Sequence, residues 1–111
     1  MDLVTGGTGF VGTHVVRALL ARGSAVRCLA RPGSRRDNLA GLEVEVVEGD
    51  LTEPRSIAKA TAGVSTVYHV AADYRLWTRD PRGLHRANVG GTENVLRAAA
   101  DAGVSKVVYT S

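Results

Sequence analysis

The chain has 111 residues, with 14 Lys and Arg against 11 Asp and Glu, a formal net charge of +3. Hydrophobic residues at 44% and charged residues at 23% describe a globular chain of one domain or part of one, and exclude disorder, collagen-like repeats and charged tails. A single cysteine, Cys28, excludes an internal disulfide and a Cys-based metal site; Met1-Asp2-Leu3 brings no basic signal region, and Arg17, Arg22, Arg27 and Arg31 interrupt the apolar stretches, so a cytoplasmic protein without membrane insertion is expected.

Short β-branched runs alternate with Ala/Leu-rich segments of helical period, which is the rhythm of βα units around a parallel sheet. Leu3-Val4-Thr5 is the stub of a first strand. Val11, Val15, Ala18 and Leu19 recur at i, i+4, i+7 and i+8 and predict a first helix with that apolar stripe, ended by Gly23. Residues 25–30 predict a second strand, in which Cys28 reads as a small buried hydrophobe rather than a reactive thiol. A loop follows at Pro32-Gly33-Ser34. Val44, Val46 and Val47 predict a third strand ending at Gly49-Asp50, and Pro54 opens a short helix to about Thr61. Residues 66–70 predict strand four. After a loop containing Trp77 and several arginines, Val89, Val95, Leu96 and Ala99 line a longer helix ending near Gly103, and Lys106 to Thr110 predict strand five. A chain that stops on a strand with an open edge is expected to be a piece of a longer protein.

The excess composition is glycine, 13 in all. Between strand one and helix one stands Thr5-Gly6-Gly7-Thr8-Gly9-Phe10-Val11-Gly12, which contains Gly7-x-Gly9-x-x-Gly12 and Gly6-x-x-Gly9-x-x-Gly12. In this setting an early glycine permits the tight turn, Gly9 lets a pyrophosphate approach the backbone, and Gly12 lets the helix pack closely on the sheet. The N–H groups and dipole at the helix N-terminus then receive the anion. A ligand-free glycine turn is the competing reading. A nucleotide-hydrolysing P-loop is excluded because Thr13-His14, not Lys-Ser/Thr, follows Gly12.

The loop resembles the TGxxGxxG signature of the extended short-chain dehydrogenase/reductase family of NAD(P)-dependent epimerases, dehydratases and reductases. The resemblance covers essentially the whole chain, through Gly49-Asp50-Leu51, His69-Val70-Ala71-Ala72, Asn88-Val89-x-Gly91-Thr92-x-Asn94 and Val108-Tyr109-Thr110-Ser111. Within the family, Ala72-Asp73-Tyr74-Arg75-Leu76-Trp77 is most similar to hopanoid-associated sugar epimerases, near the dihydroflavonol-4-reductase-like enzymes. It implies an α/β fold of Rossmann type, a doubly wound parallel sheet of strand order 3-2-1-4-5. Residues 1–111 would be the N-terminal part of an NAD(P)-binding domain cut after strand five, without the substrate-binding C-terminal part.

The implied cofactor contacts are Gly6, Gly9, Phe10, Val11 and Gly12 at the pyrophosphate, Asp50 at the adenine amino group with Leu51 beside the ring, Ala71 and Ala72 at a close backbone approach, and Thr110 on the nicotinamide side. For Asp50 a plain turn-residue role is the alternative, and Asn88 is open between positioning its helix and a purely structural part. About twenty residues past the glycines, where an NAD-selective site places a carboxylate, the chain reads Leu29-Ala30-Arg31-Pro32-Gly33. Arg31, with Arg35 and Arg36, offers guanidinium groups to a 2′-phosphate, so NADP is the expected cofactor in preference to NAD. A solvated basic loop, partly neutralised by Asp37, is the alternative.

Extended members of the family transfer protons with a Tyr and a Lys four residues later. Tyr68, Tyr74 and Tyr109 are not followed by Lys at that spacing; in the family the motif lies beyond residue 111, so no catalytic residue is assigned and these residues alone are not expected to turn over. His14, His69 and His85 lack metal-ligand spacing and read as structural. The stretch Tyr74 to Arg82 mixes aromatics and arginines, but at +3 the footprint is thin for nucleic acid. It reads instead as a loop beside the active site or as aromatics anchoring a long loop. The expectation is an oxidoreductase or sugar epimerase acting on a small hydroxylated or keto compound, with a homodimer open for the whole protein. The alternative is an inactive NADP-sensing module. The downstream sequence separates them, because a full domain without Tyr-x-x-x-Lys would favour the sensor.

Overall fold

The computed structural model describes residues 1–33, 36–70 and 81–109, the stretch 81–89 by its backbone alone. Five parallel strands form one sheet: β1 (Asp2–Thr5), β2 (Val26–Ala30), β3 (Glu45–Glu48), β4 (Thr66–His69) and β5 (Lys106–Tyr109), in the order β3-β2-β1-β4-β5. β1 is central and wholly buried, with Asp2 opposite Val26 on one side and Thr66 on the other. That double burial is why a parallel strand tolerates a continuous apolar run.

Side chains alternate across the sheet and divide the core into two layers. On one face Leu3, Leu29 and Val67 pack against α2 (Pro54–Thr61) and α3 (Pro81–Asp101), with Ile57 and Val95 completely buried. On the other, Val4, Cys28 and Val70 pack against Val16 and Leu19 of α1 (Phe10–Ala21). Arg27 joins sheet to helix. Its Nη1 donates at 2.7 Å to the carbonyls of both Ala60 and Ala62 at the end of α2, and its Nε meets Glu45 Oε2 at 3.2 Å.

Three details depart from the sequence reading. The buried face of α1 is Gly12, Thr13, Val16 and Leu19, whereas Val11 and Ala18, expected on it, are exposed. Close packing of a glycine turns the first turn toward the sheet, which a pattern built on large apolar residues does not register. α3 begins at Pro81, inside the expected loop, and buries Val95, Ala98 and Ala99 while Leu96 is 51% exposed. An unforeseen single 3-10 turn at Asp37–Leu39 buries Leu39. Gly23 ends α1 as expected, with Gly23 N–H on Leu20 O and Ser24 N–H on Leu19 O, both 3.0 Å. Among the described residues no helix is long and apolar enough to cross a membrane.

The chain leaves β1 toward β2 and β3, then returns through α2 to β4 on the other side of β1. This reversal opens a crevice at the carboxyl ends of β1 and β4, the place where open α/β sheets bind ligands.

Candidate functional site

The glycine loop occupies that crevice. Gly6 follows β1 at φ +74°, a left-handed conformation that side chains resist, and its carbonyl receives the Gly9 N–H at 3.1 Å. The turn brings the loop down onto α1 so closely that a Cβ on Gly12 would stand 1.9 Å from Gly6 O and 2.9 Å from Gly7 Cα. At Gly9 the nearest atom to such a Cβ is Gly6 O at 3.5 Å, an ordinary contact, and the residue itself is exposed. Gly9 is the N-cap of α1 and supplies no side-chain hydrogen bond, and the first turn holds no acidic residue. The N-terminal N–H groups and the positive end of the dipole are therefore directed at the crevice without a built-in anion. Phe10 and Val11 flank them, 79% and 47% exposed, with Phe10 edge-on to the His14 ring.

Two side chains that the sequence reading did not single out hold this loop. Buried Thr13 places Oγ1 2.9 Å from Gly7 O and 2.6 Å from Gly9 O, sharing one hydroxyl proton between two carbonyls. Asn38, from the 3-10 turn, donates Nδ2–H to Thr8 O at 2.8 Å. Thr13 lies directly after the last glycine, a position where its hydroxyl could have been noticed. Asn38 acts across 30 residues, and nothing local announces it.

After β2, Arg31 is exposed, and its charge acts on Asp50 across the crevice edge. Asp50 Oδ1 accepts from the Thr52 backbone N–H at 2.9 Å and from its hydroxyl at 2.8 Å. The N–H bond first, then the hydroxyl, and after them the Arg31 charge hold the Asp50 carboxyl below the usual carboxylate range. Asp50 is thus a turn residue, at the carboxyl end of β3. Its backbone is pinned by Ser56 Oγ, 3.0 Å from both Asp50 N and Asp50 O. Leu51 is half-buried under α3, where its Cβ would be 3.1 Å from a Cβ on Gly91 and its carbonyl receives Asn94 Nδ2–H at 2.7 Å. Arg36, grouped with Arg31 in the sequence reading, spends Nη2 on Glu48 Oε1 at 2.8 Å.

The structure therefore brings Gly6, Gly9, Phe10, Val11 and Gly12 together, with Arg31, Asp50 and Leu51 at the ends of the neighbouring strands. Ala71, Ala72 and Thr110, along with Arg35 and the Tyr74–Trp77 stretch, lie outside the described residues, as does the Asn88 side chain. Among the described residues no three His, Cys, Asp or Glu side chains gather as metal ligands. The uncapped helix end and the Gly6–Gly12 contact fit a diphosphate: the first supplies donors, and the second removes the side-chain atoms that would obstruct the approach.

The sequence pattern of the family described as "NAD dependent epimerase/dehydratase family" matches residues 3–111. The crystal structure of gox2253 superimposes with a TM-score of 0.93 at 51% identity, covering 98% of this chain and 33% of that one. A short-chain dehydrogenase/reductase superfamily protein from Agrobacterium tumefaciens, solved with bound NAD, gives 0.82 at 36% identity over 100% of this chain and 32% of that one. Sterol demethylase protein B of Methylococcus capsulatus is 47% identical over 109 residues, 98% of this chain and 33% of its own. The chain spans about a third of the length of these relatives.

Proposed function

Given that the chain belongs to the NAD dependent epimerase/dehydratase family, we propose that residues 1–111 are the N-terminal part of a Rossmann dinucleotide-binding domain whose whole protein is an NADP-preferring oxidoreductase or epimerase. The observation that carries this reading is the uncapped N-terminus of α1, held against Gly6 by a contact only glycine at position 12 permits. Its free N–H groups, from Phe10 through Gly12, bind the pyrophosphate, with the Phe10 and Val11 side chains closing over it and Gly6, which holds the Gly9 N–H, setting the turn. Asp50 accepts from the adenine amino group while Leu51, fixed by Asn94, lies along the ring. Ala71, Ala72 and Thr110 belong to the nicotinamide half. The bound nicotinamide supplies a hydride donor or acceptor for a hydroxyl- or keto-bearing carbon. The residues of this chain hold and orient it.

Arg31 favours NADP because it is exposed beside the adenosine end, where a guanidinium can take a 2′-phosphate in charge-assisted hydrogen bonds. The substrate is a small molecule with a hydroxyl or keto carbon, a class that includes the sterols for which the Methylococcus relative is named.

Titration with NADPH and NADH by fluorescence tests the reading, with tighter NADPH binding expected. Arg31→Ala is expected to reduce the NADPH/NADH affinity ratio about tenfold, the loss of one charge-assisted bond; an unchanged ratio would remove the NADP argument. In the full-length protein, net NADPH consumption marks a reductase and recycled cofactor an epimerase. Tight cofactor binding with no turnover on any hydroxyl or keto substrate would favour the sensing module instead.

A further inference from the structure

Beneath the crevice lies a buried polar chain that the cofactor contacts above do not use. Thr5 Oγ1, at the end of β1, is 2.7 Å from His69 Nδ1, at the end of β4; His69 Nε2 is 3.1 Å from Thr92 Oγ1 on α3. Thr5 is completely buried and His69 is 4% exposed. The Val70 N–H also points at Thr5, 3.2 Å from both its hydroxyl and its carbonyl oxygen. One imidazole thus joins three elements that meet at the reversal of strand order.

The bonds fix where the proton sits. The Thr5 hydroxyl oxygen already accepts from Val70 N–H, and its own proton, sealed from water, must find an acceptor. Among the described residues that acceptor is His69 Nδ1. Nδ1 is then unprotonated, and the ring proton resides on Nε2, directed at Thr92 Oγ1. Burial lowers the His69 pKa, in keeping with a neutral ring.

We infer that His69, as the neutral Nε2–H tautomer, is a positioning residue that sets the spacing between the β1 and β4 walls of the crevice and so the fit of the nicotinamide half of a dinucleotide. The inference rests on the dinucleotide reading above. Thr5 immediately precedes Gly6, where the phosphate loop turns, while His69 is two residues from Ala71. Loosening their link moves the β4 wall relative to the loop. The adenosine half, over β2 and β3, is anchored separately by Ser56 on Asp50 and Asn94 on Leu51. A defect in the clamp therefore separates the two halves of the ligand, which a general loss of stability does not.

The experiment uses the full-length protein. Long-range 1H–15N correlation on labelled histidine reads the tautomer directly, with Nε2–H expected for His69. Binding of AMP and of the preferred nicotinamide dinucleotide is then measured for wild type and for Thr5→Val, which keeps the β-branched shape and deletes the hydroxyl, at urea midpoints that confirm folding. Thr5→Val is expected to weaken the dinucleotide about tenfold and AMP by less than about twofold. His69→Asn, whose Oδ1 stands near the Nδ1 position, recovers part of the loss seen in His69→Ala. An Nδ1–H or doubly protonated ring, an unchanged dinucleotide affinity in Thr5→Val, or equal losses for AMP and dinucleotide each overturn the inference. Wild-type protein that binds no dinucleotide overturns the functional reading and the positioning role with it; wild-type binding with unaffected variants overturns the positioning role alone.

Discussion

At Gly12 a single methyl group decides whether the phosphate loop can close, because its nearest neighbours are backbone atoms that no rotamer change moves aside. Gly12→Ala is expected to lower stability by about 3 kcal/mol through overpacking and to abolish dinucleotide binding; urea unfolding and a binding titration measure the two losses. Cys28 lies on the opposite side of the same loop, with Sγ 3.1 Å from where a Gly7 Cβ would be. Its thiol is fully buried, and burial pushes its pKa up from 9.0 to about 11. The raised value means the folded state favours the neutral thiol: this contribution is complete below pH 9 and is lost as pH rises through 9 toward 11. Iodoacetamide at pH 8 is accordingly expected to leave the native protein unmodified and to label it rapidly in denaturant; rapid native labelling would contradict the burial. The role of Cys28 was legible because β2 is apolar apart from Arg27. That of Thr13 was only half legible: its place after the last glycine flags a hydroxyl at the loop, but its two acceptors, Gly7 O and Gly9 O, follow from the folded turn.

Elements were legible to the extent that their signals are local. The strands stood out because they carry β-branched or apolar runs, and the inner strands β1 and β2, covered on both faces, need no alternation. Helix faces were less legible: α1 turns Gly12 and Thr13 inward, and α3 turns Leu96 outward. Contacts between elements carry much of what is missing, and Arg27 is an instance. It sits in β2 yet terminates α2, giving two N–H donors to carbonyls that the helix itself leaves unpaired. Its side chain is only 14% exposed. Arg27→Ala is expected to cost about 2 kcal/mol, the scale of charged hydrogen bonds lost from one partly buried and one exposed carbonyl, with faster hydrogen exchange concentrated in the last turn of α2. Uniform acceleration along the sheet would show instead that Arg27 supports β2.

For the whole molecule, the strand order followed from the resemblance and the glycine loop from spacing, and the structure has both. The ties that align the parts, Ser56 to Asp50, Asn94 to Leu51 and His69 to Thr5 and Thr92, join residues chosen by the fold and carry no local pattern. His69 makes one of them visible to pH. Burial holds its folded pKa below 6.5, so between that lowered value and 6.5 the unfolded chain binds more protons than the folded one. The contribution of His69 is complete above pH 6.5 and falls as pH drops. Urea midpoints at pH 7.5 and 5.5 are expected to differ in that direction, and the difference is expected to shrink in His69→Gln. An equal slope in the variant would assign the effect to other groups.

The central position of β1 also dictates an order of events during synthesis. Asp2 to Thr5 leave the ribosome before either neighbour, and one flank is completed by Val26 to Leu29 and the other only by Thr66 to His69. At a synthesis rate of about 5–20 residues per second, β1 waits roughly 3 to 13 s for its second neighbour. Through that interval the most completely buried strand of the sheet has an open flank, so the nascent chain depends on its surroundings, including any chaperone at the exit tunnel, until β4 arrives.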